Sequence, residues 1–300
     1  MSKNNDVMTF VGKGRSALEL IVDPGSFEEN KAGNQKLPAD LGPGAVVGTA
    51  ALNECTLTVI TIDAKQKNPR FGAALAGVIG LEEAYKMATA VYYTIEADAT
   101  KQQQNKRPIL LIVDTPGNAP GKVEEIFGMH LSTGAYQLAL ADARQKGHPI
   151  LALIVGRAIS GAFLCHGLQA DRILSLSAKY GTKIHVMPLS SISAITKIDI
   201  ERLEELAASN PVFASGAEYF YKLGGLEEII ENSDDMRAFV LRHMVEIGEL
   251  KQNGSSDKLG PQGRGLLGAE RGGRRFRGEV INAIKKQFSL YEKDFFNEST

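Results

Sequence analysis

PILALIVGRAISGA, residues 149–162, decides how the chain is read. The apolar run at 149–155 has the length of a strand and ends in small residues and glycine. Because it does not alternate with polar residues, it marks a strand buried on both faces, as in a parallel sheet covered by helices. The unit recurs. LTVITI (57–62) leads through a glycine-bearing loop to a helix at about Leu81–Ala99, ILLIV (109–113) ends in the turn DTPG (114–117), and RILSL (172–176) follows a short helix. Such alternation predicts an α/β fold with a largely parallel sheet. Residues 121–145 read as one helix, with Glu124 and Glu125 favoured by the dipole in its first turn and Gly147 and Pro149 stopping it. Val123, Phe127, Leu131, Gly134, Leu138 and Ala141 step by three or four, which predicts an apolar stripe laid against the sheet.

The chain has 300 residues, 43% hydrophobic and 23% charged, a globular composition that excludes disordered and fibrous classes. Its net charge of −1 supplies no global field for nucleic acid or membrane. Two cysteines are too few for a disulfide framework or a cysteine-rich metal cluster. The start, MSKNNDVMTF, lacks a secretory signal. No apolar run approaches the roughly 20 residues of a spanning helix. A soluble protein of the reducing cytoplasm is expected. Residues 1–16 are expected to be loose, 17–250 to form the main domain, and 251–300 to be a Gly/Arg-rich arm with a last helix at about 278–293. Residues 24–44, rich in Pro and Gly, read as irregular.

The familiar catalytic signatures fail. Ser160 is preceded two places earlier by Ala158, so there is no G-x-S-x-G elbow. There is no Walker A pattern and no H-E-x-x-H. Cys165 and His166 are adjacent, so on a helix they point to different faces, and a buried thiol beside a satisfied imidazole is the better reading. What remains are two strand-to-helix junctions lined by small residues, 114–117 and 156–162. Ligands of open α/β sheets collect at such strand ends. Unpaired N–H groups of a helix start can stabilise an oxyanion there without a catalytic side chain, although small residues equally serve helix-to-sheet packing.

DPGSFEE (23–29), the stretch 114–139 from DTPG to YQLA, GRAISGAFLCHGLQADRILSL (156–176), IHVMPLSSISAIT (184–196) and YKLGGLEEII (221–230) together resemble the gamma subunit of biotin-independent malonate decarboxylase. This family lies in the carboxyltransferase branch of the crotonase superfamily. The resemblance covers about residues 14–230. It implies a spiral of β-β-α units of the carboxyltransferase C-half type, an active site shared with a homologous beta subunit, and a malonyl thioester carried on the phosphopantetheine-type arm of an acyl-carrier protein. It implies no directly bound cofactor, metal, nucleic acid or membrane.

By the same resemblance, the amides of Gly161 and Ala162 form the oxyanion hole. Pro116 and Gly117 shape the acyl site by that resemblance, or form a plain turn by their residues alone, and Ser160 lies beside the hole. Ser190 and Ser191 follow Met187-Pro188 near a predicted strand end, a position suited to contact with the carrier arm. Carboxyltransferases that serve biotin usually have glycine and tyrosine where this chain has Ser160 and Phe163, which favours direct release of CO2. Transfer of the carboxyl group to a biotin protein is the first alternative, and a silent scaffold is the second. The basic segment 271–278 reads either as a solvated tail or as a dock for an acidic carrier through Arg274 and Arg275, and the neutral total charge counts against RNA.

Overall fold

The computed structural model describes residues 9–209 and 215–291. Helix α1 (Gly14–Ile21) precedes three short strands, β1 (Glu28–Glu29), β2 (Lys31–Ala32) and β3 (Gln35–Lys36), and the long hairpin of β4 (Ala45–Leu52) and β5 (Cys55–Ile62). Then come α2 (Leu81–Ala97), β6 (Ile109–Thr115), α3 (Lys122–Ile126), α4 (Met129–Gln145), β7 (Ile150–Ile159), α5 (Ser160–Cys165), β8 (Arg172–Leu176) and β9 (Lys183–His185). The chain continues with α6 (Leu189–Thr196), α7 (Ile200–Ser209), α8 (Ala217–Lys222), β10 (Glu228–Ile230), α9 (Met236–Gln252), α10 (Gly260–Glu270) and α11 (Arg277–Phe288). The main sheet runs β1-β4-β5-β6-β7-β8-β10, with β9 beside the far end of β7. It is parallel from β5 to β10 and antiparallel at the β1–β4–β5 edge.

Successive side chains of a strand point to opposite faces, and both faces here are dry. Ile109, Leu111, Val113, Ile150, Ala152 and Ile154 pack under α2 and α4. Leu110, Ile112, Leu151, Leu153 and Val155 pack against α1 and α9. That is why the strands read as unbroken apolar runs.

Four expectations need correction. The helix read over 121–145 is two helices, broken where Gly128 adopts φ +92°. Its stripe does not face the sheet. Phe127, Leu131 and Leu138 are 68%, 66% and 63% exposed, while Met129, Tyr136, Ala139, Leu140 and Ala143 form the buried face. That face packs on α2 and on the sheet and leaves Leu131 and Leu138 outside.

Residues 9–16 are ordered, with Phe10 fully buried and Gly14 opening α1; the remainder of the segment expected to be loose lies outside the described residues. The stretch 251–277 is not a free arm. Its glycines are contact points: a Cβ on Gly268 would lie 2.2 Å from the Leu223 carbonyl oxygen. Its arginines staple neighbouring backbone, Arg264 donating to Ala170 O at 2.6 Å and Arg271 to Leu226 O at 2.6 Å. No helix among the described residues is long and apolar enough to cross a membrane.

Candidate functional site

Asp114 is the pivot of the site. Beyond Val113 the register of β6 on β7 shifts, and the buried Asp114 carboxylate fills the irregularity. Its Oδ1 accepts from the amide of Arg157 at 2.8 Å and from Arg157 Nε at 3.0 Å, and its Oδ2 accepts from the Gly12 amide at 2.6 Å. A Cβ at position 156 would collide with Asp114 Oδ1 at 2.4 Å, so Gly156 is required for this approach. Arg157 also reaches the Ala76 carbonyl at 3.3 Å. One carboxylate thus ties the ends of β6 and β7 to the segment before α1, and Arg157 carries the link on to the loop before α2.

Past the pivot, β7 runs beside β9 and turns at Ser160 into α5. Ser160 has φ +57°, unusual for a residue with a side chain. The first N–H groups of a helix have no partner within it, and neither Gly161 nor Ala162 donates a backbone hydrogen bond outside α5 among the described residues. The turn at Pro116–Asn118 closes over them. A Cβ built on Gly117 would lie 4.0 Å from that of Ser160, and one built on Gly161 would lie 2.5 Å from Asn118 Oδ1. The turn is itself pinned, Ile79 donating to Gly117 O at 3.0 Å and Ala119 to Ile79 O at 3.0 Å. Pro116, Gly117, Ser160 and Gly161 therefore converge.

A cavity of about 250 Å³ opens beside Ser160. Its walls are mainly apolar, among them Phe163, Leu168, Ile192 and Phe220, with His185 at the side. A larger cavity, about 650 Å³, lies at the opposite, amino ends of the strands near Arg107 and Pro149, away from these amides.

Ser190 and Ser191 sit in the first turn of α6 at the rim. Leu189 and Ile192 line the cavity, and the two serines do not. Arg274 and Arg275 are elsewhere on the surface. Arg274 Nε donates at 2.7 Å to the carbonyl of Leu223, a residue of the cavity wall, and Arg275 stands over the Phe276 ring.

The Cys165–His166 pair is structural. The thiol donates to Ala162 O at 3.2 Å, and burial pushes its pKa up to about 12. His166 Nε2 donates to Ile112 O at 3.1 Å, so its Nδ1 accepts from the Tyr136 hydroxyl at 2.9 Å. Burial pulls this imidazole down to about 4. Reading for motifs missed Ala76 and Gly77, which take positive φ and whose amides make none of the bonds holding Leu75, Val78 and Ile79. It also missed Asn118 and Asp114. The signal available for the first pair was a glycine in an alanine-rich loop directly before a helix.

The mostly parallel sheet with helices on both faces is a crotonase-like fold of the carboxyltransferase type. The transcarboxylase 12S core shares this fold over 83% of the chain and 45% of its own, with TM-score 0.61 at 18% identity. The chain belongs to the malonate decarboxylase gamma subunit family, whose sequence profile matches residues 74–288. It is 62% identical to the malonyl-S-ACP:biotin-protein carboxyltransferase MADD of Malonomonas rubra, over 94% of this chain and 97% of that one. It also matches a chain of the Pseudomonas malonate decarboxylase hetero-tetramer in complex with coenzyme A at 32% identity and TM-score 0.67, covering 83% of this chain and 93% of that one.

Proposed function

We propose that this chain supplies one half of a two-chain site that turns a malonyl thioester on an acyl-carrier protein into the acetyl thioester, and that the carboxyl group goes to a biotin protein. The observation that carries the first part is the pair of unpaired amides at Gly161 and Ala162 beside the cavity. As the bond from the α-carbon to the carboxylate breaks, its electron pair spreads onto the thioester oxygen. Each fixed donor aimed at that oxygen lowers the barrier by about 3 kcal/mol. The apolar walls exclude water and receive the end of the carrier arm. Ser160 and the Pro116–Gly117 turn border the reacting group, and Ser190 and Ser191 meet the arm at the rim. The exposed edge of Arg274 and the guanidinium of Arg275 attract the acidic carrier.

The biotin acceptor is supported by the 62% identity to a biotin-protein carboxyltransferase across nearly the full length of both chains. Direct release of CO2 is the second reading. It is favoured by the hydroxyl of Ser160 and the missing hydroxyl at Phe163, both on the cavity wall. The test is to give the purified complex malonyl carrier with and without a biotin-carrier protein. Carboxybiotin formed in step with acetyl thioester supports transfer. CO2 at the same rate without the biotin protein supports direct release.

The partner follows from the exposed stripe. Phe127, Leu131 and Leu138 of the α3–α4 region are bare, as is Leu164, which also lines the cavity. A solvated apolar face of this kind marks an interaction site. We assign it to the homologous beta subunit. Such a seam would run along the mouth of the site and bring the second set of donors to it. One chain of the solved Pseudomonas malonate decarboxylase MdcD-MdcE hetero-dimer is 29% identical to this one, which supports a paired assembly.

A further inference from the structure

His185 stands in the cavity wall without an assigned task. It pairs in parallel register with Ile159, one strand across from the turn at Ser160. Its Nδ1 is buried with no hydrogen-bond partner among the described residues. The other described histidines are occupied or remote. His148 donates from Nδ1 to Arg107 O at the opposite end of the sheet, His166 is bonded at both nitrogens, His243 bridges Arg172 and Glu228, and His130 is exposed. Of the described residues lining the cavity, His185 is the one that carries an imidazole.

We propose that His185 delivers the proton that converts the enolate left by decarboxylation into the acetyl thioester. The proposal rests on the function argued above. When the carboxyl group departs, its bonding pair remains on the substrate as the enolate. The N–H bond of the His185 imidazolium then breaks, its proton forms the new C–H bond at the α-carbon, and the electron pair stays on nitrogen. Water at the cavity mouth restores the proton on direct release of CO2, and on transfer to biotin the N–H proton that the ureido nitrogen gives up as its N–C bond forms balances it. Both fates of the carboxyl group require this step, because each ends with one more hydrogen on the α-carbon. Burial first, and Lys183 on the same strand second, lower the imidazole's pKa, which makes its cation a stronger acid. The other polar side chains lining the cavity are those of Ser160, Ser215 and Tyr219, and no carboxylate lines it among the described residues.

The test compares wild type, His185→Gln and His185→Ala in the complete complex, measuring acetyl-thioester formation across pH. General acids contribute roughly 100- to 10,000-fold. The glutamine variant, which keeps volume and hydrogen bonding, is expected to co-purify with its partner, lose about 100-fold in kcat with KM within about threefold, and lose the wild-type decline in rate toward high pH. Imidazole in the buffer is expected to restore the alanine variant at least about tenfold, a rescue that packing alone would not give. A glutamine variant with the wild-type rate and pH profile overturns the proposal while leaving the function standing. A wild-type complex that forms no acetyl thioester overturns the function and the proposal together.

Discussion

Two ends of the same short helix offer opposite lessons. At its end, Cys165 and His166 are the residue types that elsewhere form nucleophile and base, and here every polar atom of the pair has a partner within its own chain. At its start, Gly161 and Ala162 bring no side-chain chemistry, yet their amides point to no acceptor outside the helix. Chemistry resides where hydrogen-bonding capacity is left over, since a buried donor without a partner costs about 1–3 kcal/mol and persists only when something else uses it. Inert backbone is therefore the better candidate than reactive side chains.

The comparison breaks most directly at Gly161. A valine there would drive its Cβ into Asn118 Oδ1, 2.5 Å away, and shift either the amide or the turn that covers it. Acetyl-thioester formation should fall about 1,000-fold, as on losing an oxyanion donor. The variant should still co-purify with its partner, since Gly161 is no part of the exposed stripe. Full activity would place the chemistry elsewhere. Next in size is the stripe. Leu131→Glu with Leu138→Glu should weaken assembly with the beta subunit about 100-fold, and leave the melting temperature of the isolated chain within about 3 °C, because exposed positions cost little. Sedimentation of the mixed subunits reads the first outcome, and a thermal scan the second.

How much of this was legible in the sequence depended on where each residue keeps its partner. The strands at 57–62, 109–113, 149–155 and 172–176 could be read because both of their faces are buried in this chain. Strand β4, AVVGTAAL, could not, since its alanines and Gly48 carry little strand signal; Gly48 is small because the Phe27 ring lies 2.3 Å from where a Cβ would stand. The α4 stripe was read on the wrong face because periodicity reports apolarity, not which molecule covers it. The 251–277 segment reads as a linker by composition, yet its glycines are close helix contacts. At the site, small residues after β7 marked the junction 156–162, and it was the family resemblance that singled out Gly161 and Ala162 within it. Asp114 looked like a turn residue, and its role depends on a register shift that no local pattern encodes.

The saturated end of the helix can be tested by opening it. Tyr136→Phe removes the hydroxyl that donates to His166 Nδ1 and leaves that nitrogen buried without a partner. The expected cost is about 1–3 kcal/mol of stability, with kcat per folded molecule unchanged. Acid should act on the same pair. His166 titrates at about 4 in the folded chain against 6.5 when exposed, so below pH 6.5 the unfolded state binds the proton more readily. Stability from this residue is complete above pH 6.5 and falls toward pH 4 by up to about 1.4 kcal/mol per pH unit. In His166→Gln, denaturant titrations across that range should show a shallower slope. An unchanged slope would mean that the ring is not held neutral by burial.

The smallest effect belongs to Ser160, and there two terms nearly cancel. Its φ of +57° costs a side-chain-bearing residue about 1 kcal/mol, which Ser160→Gly would relieve. The glycine gives back about 0.4–1 kcal/mol by loosening the unfolded chain. Stability should therefore move by no more than about 0.5 kcal/mol either way. What remains visible is the hydroxyl. A neutral hydrogen bond contributes about 0.5–1.5 kcal/mol, so if Ser160 touches the acyl group, KM for the malonyl carrier should rise about two- to tenfold. If the hydroxyl instead restricts biotin, the glycine variant should raise the yield of carboxybiotin relative to CO2 with KM unchanged. A variant that alters neither KM nor the fate of the carboxyl group would leave the strained serine as a feature of the turn alone.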